Sequence, residues 1–163
     1  MPDTPLHELV LSRRVAHPPM AVYRAWTEPA LMKQWFTPRP WTTPVIETDV
    51  RPGGASYLLM RGPDGQEMPN RGVYLAVEPG RRLVFTDAFT EAWRPSDKAF
   101  MLAELSFEPL DEGRATQYTA RVRHWSEADR LQHEQMGFHA GWGAATDQLE
   151  ALLAGRPVDG VAG

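Results

Sequence analysis

A chain of 163 residues is near the usual size of one domain, and its 42% hydrophobic and 23% charged shares are those of a folded globular protein. Seventeen Lys and Arg against twenty-one Asp and Glu leave a net charge of −4, so no overall positive field draws the chain to nucleic acid or to an anionic lipid surface. The absence of cysteine excludes disulfides, a thiolate nucleophile and any Cys-ligated zinc or iron–sulfur centre.

Met1–Pro5 carries two prolines, and the chain ends GRPVDGVAG over 155–163. Both ends are expected to be flexible tails on a single domain covering 6–154. The start has no basic cluster followed by an apolar run, and no stretch is long enough to span a bilayer. A cytoplasmic protein without membrane insertion is the expectation.

In chain order, Leu9, Leu11 and Val15 alternate as on a half-buried strand, which His17-Pro18-Pro19 stops. Pro19 and Pro29 each suit the first turn of a short helix, the second ending before Thr37-Pro38-Arg39-Pro40. Six strand-like runs follow: 45–51, 56–61, 71–77, 82–87, 100–107 and 116–123. Their breaks are Pro52-Gly53-Gly54, Pro63-Asp64-Gly65, Pro79-Gly80 and Asp111-Glu112-Gly113. Connections this short make antiparallel neighbours. The longer stretch from Ala88 to Ala99, with Phe89, Trp93 and Pro95, reads as a loop folded over the body and a candidate lid.

Ser126 with Asp129 three residues on begins a helix expected to run unbroken to about Leu153. Leu131, Phe138, Trp142, Ala145, Leu149 and Leu152 then form one apolar stripe. Such a helix would be roughly 40 Å long, against roughly 25 Å for an eight-residue strand, so the sheet must wrap it. The fold class is therefore α+β, with a curved seven-stranded antiparallel sheet around a long C-terminal helix. Gly137, Gly141 and Gly143 cost that helix about 1 kcal/mol each against alanine. They serve either close backbone packing or open space beside Phe138 and Trp142.

These residues resemble a known family. Val22-Tyr23-Arg24-Ala25-Trp26-Thr27-Glu28-Pro29, Gln34-Trp35-Phe36-Thr37-Pro38, Asp49-Val50-Arg51-Pro52-Gly53-Gly54, Gly72-Val73-Tyr74, Arg82-Leu83-Val84-Phe85-Thr86 and Gly141-Trp142 carry the likeness. In this order they resemble the helix-grip proteins of the START-like, Bet v-like (SRPBCC) superfamily, in particular the bacterial activator-of-Hsp-ATPase-like branch. The resemblance implies a β-α-α-β6-α grip around an apolar cavity. It also implies a range of roles: lipid and polyketide carriers, cyclases, self-sacrificing resistance proteins and co-chaperone domains.

Binding of a small hydrophobic or aromatic molecule is the favoured function. Trp26, Trp35, Met60, Tyr74, Phe85, Phe89, Trp93, Phe138, His139 and Trp142 are the candidate ligand-contacting residues, and no cofactor is expected. One alternative is a cyclase or hydrolase acting through His139, Asp87 or Glu104. Another is a protein-interaction module with a chaperone partner, as a monomer or homodimer. His133 and His139 are six apart and about 240° around a helix, so they make no metal-binding pair. The other histidines, near element ends, read as surface or hydrogen-bonded. Glu47 and Asp49 share a strand face, but Asp49 precedes the Gly-Gly turn, where a carboxylate commonly accepts backbone N–H groups. Without cysteine, a serine elbow or a convincing base, no covalent catalyst is expected.

Overall fold

The computed structural model describes residues 7–91 and 93–158. The tail expected over 1–5, the domain start at Leu6 and the last five residues of the C-terminal tail lie outside them.

Seven strands form one antiparallel sheet, in the order β1 (Glu8–Val15), β9 (Ala115–His124), β8 (Met101–Leu110), β5 (Arg82–Thr86), β4 (Glu67–Glu78), β3 (Ala55–Arg61), β2 (Thr42–Thr48). Two short helices, α1 (Pro19–Thr27) and α2 (Pro29–Trp35), connect β1 to β2, each with proline in its first turn. This is the α+β arrangement that alternation and turn spacing imply, and the helix-grip order that the family resemblance implies.

Register aligns the inward residues of β8 and β9. Phe107 faces Tyr118, Leu105 faces Ala120, Ala103 faces Val122 and Met101 faces His124 across β8 and β9. On the other side of β9, Leu9 meets Val122, Leu11 meets Ala120 and Arg13 meets Tyr118. Because side chains alternate between the two faces of a strand, these rows form one continuous inner surface. The turn before β3 is tied to β4 by Gly53 N–H donating to the Tyr74 carbonyl (2.7 Å) and Tyr74 N–H donating to the Gly54 carbonyl (3.0 Å). A Cβ on Gly54 would sit 1.8 Å from the Asp49 carbonyl oxygen, so only glycine lets the chain close here.

Two expectations are corrected. The single helix from Ser126 to Leu153 is two: α3 (Glu127–Gln135) and α4 (Phe138–Leu153). Ser126 does cap α3, its hydroxyl accepting from the Asp129 N–H at 3.1 Å. The break falls at Gly137, whose φ of 95° is left-handed and cannot continue a right-handed helix. Leu131 consequently leaves the apolar stripe and lies 41% exposed, while Phe138, Ala145 and Leu149 stay buried.

The second correction concerns 88–99, which is a small hairpin rather than a lid. β6 (Phe89–Glu91) pairs with β7 (Arg94–Pro95), Phe89 and Trp93 stack edge to face at 5.5 Å, and the Trp93 indole lies against Gly53. Its residues Thr90, Glu91 and Arg94–Asp97 border an outer groove with Glu47, Asp49, Tyr57 and Arg71. None of the described residues of 88–99 borders the inner cavity.

Candidate functional site

The inner face of the sheet, α2 and α4 enclose an unfilled cavity of about 510 Å³. Its inner end is aromatic. Trp26 packs on Trp35 (4.8 Å), Phe85 (5.9 Å) and Trp142 (6.2 Å), with Leu58 and Tyr118 completing that end. Its mouth is marked by exposed Met68, Asn70, Arg71, Gln132 and Met136, with Phe100 and His133 between. A space of this size with mostly apolar walls suits a small organic molecule.

Two glycine readings were open for α4. A Cβ added to Gly141 or Gly143 would meet nothing within 4 Å, so close packing does not explain them. Gly141 borders the cavity, and its missing side chain is part of the open volume.

Of the ten candidate residues, Trp26, Trp35, Met60, Phe85 and Trp142 line the cavity and five do not. Tyr74 is buried, and burial raises its hydroxyl pKa above the ordinary tyrosine value, with Ser56 and Thr48 near enough to oppose that shift. Phe138 is buried in a cluster with Leu9, Ala103 and Val122, supporting Trp142 from behind at 5.3 Å. His139 is exposed, and Phe89 and Trp93 belong to the outer hairpin.

Polar groups reach the cavity at few places. Tyr118 stands at the inner end, and burial pushes its pKa above the ordinary tyrosine value, so it is a neutral hydroxyl. The Trp26 indole N–H lies near enough to favour negative charge on that oxygen, yet without hydrogen-bonding geometry, and it is buried without a partner. An unpaired buried N–H costs about 1–3 kcal/mol, so this pair is poised to donate to a ligand oxygen. Arg13, the next inward residue on β1, is neutralised by Asp147 (2.7 Å) and Glu150 of α4.

The acid and base groups expected for an enzyme do not converge. Asp87 borders the cavity, but its Oδ1 accepts from the backbone N–H groups of Phe100 (2.8 Å) and Met101 (3.1 Å). Glu104 pairs instead with Arg82 at 2.6 Å, and His139 points to solvent. Asp49 accepts from the Arg51 side chain (2.7 Å), with no backbone N–H bonded to its carboxylate among the described residues.

Sequence reasoning passed over Tyr118, His133 and Gln148. Tyr118 was legible, since it shares its inward face with Ala120 and Val122 at alternate positions. Gln148, buried among apolar neighbours on α4, gave no periodic signal.

His124 and His133 form a pair that joins β9 to α3, His124 Nε2 lying 2.9 Å from His133 Nδ1. Burial, with His124 adding to it, holds the His133 pKa down to about 4. In the unfolded chain the ring takes up its proton near 6.5, while the folded protein withholds it down to about 4. Between those values the unfolded state binds more protons, so stability falls as pH falls through that interval. The urea midpoint of the wild type is expected to drop on acidification within this range, and His133→Phe to drop less. Equal drops would place the lost stability on other groups.

Comparison with known proteins agrees with the fold. Residues 16–154 match the model of the family described as Activator of Hsp90 ATPase homolog 1-like protein. Protein NE0264 from Nitrosomonas europaea is similar in structure at 41% identity, TM-score 0.86, over 90% of this chain and 94% of that one. Protein CV1439 from Chromobacterium violaceum is similar at 26% identity, TM-score 0.71, over 89% of this chain and 96% of that one. A protein from Silicibacter pomeroyi that carries the same family name shares the fold at 22% identity, TM-score 0.67, over 90% of this chain and 97% of that one. No curated protein matches the sequence. Roles in this family include ligand binding and co-chaperone action. No helix among the described residues is long and apolar enough to cross a membrane.

Proposed function

We propose, from the premise that this chain belongs to the Activator of Hsp90 ATPase homolog 1-like protein family, that it binds a small hydrophobic or aromatic molecule inside the grip. One observation carries the reading: the unfilled space of about 510 Å³ between the sheet and α4. A folded interior is normally packed as densely as an organic crystal, and a void of this size forgoes stabilising contacts. Gly141 adds to that cost by leaving room where leucine or alanine would support the helix better. Such a cost is understandable where the space is used.

The wall chemistry narrows the ligand. Trp26, Trp35, Phe85 and Trp142 offer aromatic faces and edges, and Met60, Met68 and Met136 adapt to irregular shapes. The Tyr118 hydroxyl and the Trp26 N–H favour a ligand with an oxygen at its inner end. A neutral aromatic ketone, phenol or lipid-like alcohol fits this pattern better than a polyanion.

The reading is tested by titrating the protein with a neutral fluorescent apolar probe such as Nile red. Saturable binding at one probe per chain, with quenching of tryptophan emission, is expected. Unsaturable binding, or binding without change in that emission, would place the probe outside the cavity.

A further inference from the structure

The cavity mouth carries a histidine whose hydrogen-bonding sense is set from outside the cavity. His124 is 5% exposed, and its Nδ1 lies 2.8 Å from the backbone carbonyl oxygen of His7. A carbonyl only accepts, so Nδ1 of His124 carries the proton. While His124 is neutral its Nε2 is then a bare acceptor. His133 Nδ1, 2.9 Å away, must donate to it. The single N–H of a neutral His133 is thereby used, and its Nε2 is left as a lone pair with no partner among the described residues.

The ring bearing that lone pair is part of the cavity wall. It is held between Phe100 (5.3 Å), Phe138 (5.2 Å) and His124 (5.1 Å), so it cannot turn without breaking both its hydrogen bond and these contacts. Phe100, Met101 and Met136 in the same wall offer no side-chain donor, while the donors of the mouth, Gln132, Asn70 and Arg71, are exposed to solvent.

We propose that His133 Nε2 is a fixed hydrogen-bond acceptor for a ligand hydroxyl, and that the molecule taken by the cavity is an apolar alcohol or phenol rather than a pure hydrocarbon or a carboxylate. The inference deepens the binding reading above and rests on it. A hydrocarbon leaves this acceptor dry and unpaired once it displaces water, which costs affinity. A carboxylate brings only acceptors to an acceptor. The depressed pKa keeps His133 uncharged through the neutral range, so it does not become a cationic partner for an anion. His124 acts through His133 and is a positioning residue.

The test compares 2-naphthol with 2-methoxynaphthalene, which have the same ring system but differ in the ability to donate. Each is titrated calorimetrically into the wild type and His133→Phe. The wild type is expected to bind the naphthol about fivefold more tightly, the equivalent of one hydrogen bond of about 1 kcal/mol. His133→Phe should remove that preference, bringing the two affinities together. Equal affinities in the wild type, or a preference that survives His133→Phe, would overturn the assignment and leave the cavity reading standing. Binding of neither probe would overturn both. Nitrogen-15 spectra of the wild-type imidazoles at mildly alkaline pH read the tautomers without any substitution. His133 protonated on Nδ1 is expected, and protonation on Nε2 would sink the proposal.

Discussion

Gln148→Leu is expected to destabilise the protein by about 3 kcal/mol and to weaken ligand binding with it. Gln148 is 3% exposed on α4, and every polar atom of its side chain is used. Its Nε2 donates to the carbonyls of Trp35 (2.8 Å) and Thr37 (2.7 Å), and its Oε1 accepts from the Arg39 backbone N–H (3.0 Å). Leucine fills a similar volume but strips the Trp35 carbonyl of this donor and the Thr37 carbonyl of its shortest one. Buried backbone groups left in this way cost roughly 1–3 kcal/mol each. The same three bonds hold the end of α2 against α4, and Trp35, Phe36, Thr37 and Pro38 are one wall of the cavity. Urea unfolding monitored by tryptophan emission measures the first effect, and titration with the apolar probe the second. A loss under about 1 kcal/mol would mean that water or a shifted backbone replaces these bonds.

Gly141→Leu is expected to move stability and binding in opposite directions. The residue has ordinary helical geometry in the first turns of α4, and an added Cβ meets nothing within 4 Å. Leucine there should raise stability by about 1 kcal/mol through helix propensity alone. Its side chain would enter the space beside Trp142 and Ala145 and lower ligand affinity by tenfold or more, on the order of 1.4 kcal/mol. Thermal unfolding and probe titration on the same sample separate the two. Unchanged affinity would place the ligand away from α4. Lower stability would mean that the cavity is narrower than its walls indicate.

These variants bear on different parts of one design. Gln148 joins polar backbone inside an apolar layer, so its role depends on what lies across from it. Gly141 is defined by the lack of a side chain, and its role depends on nothing lying across from it. Neither condition is a property of the local chain. The His124–His133 pair is similar, since its effect on the cavity depends on a carbonyl of His7 brought beside β9.

Alternation of apolar residues and the positions of Pro and Gly were enough to recover all seven strands of the main sheet, because period and punctuation are local. Boundaries moved where the sheet continued beyond the apolar run. β4 begins at Glu67 because exposed Met68 and Asn70 still pair with Met60 and Leu58. The break at Gly137 was invisible because Leu131 and Phe138 are seven apart, a spacing that two helices can imitate as well as one.

What the sequence by itself determined is the layer architecture: which residues are apolar at period two, which at period three to four, and where the chain must turn. That follows because burial drives each element to hide one face, and the face is written in the residue order. Only the tertiary structure decided which aromatics line open space and which fill the core, as with Trp142 and Phe138, neighbours at 5.3 Å on one helix. The physical reason is that a cavity is a mismatch between facing surfaces, and its polar contacts depend on partners distant in the chain. Trp26 near Tyr118, Gln148 under Trp35 and His133 beside His124 acquire their roles only when sheet and helices close around them.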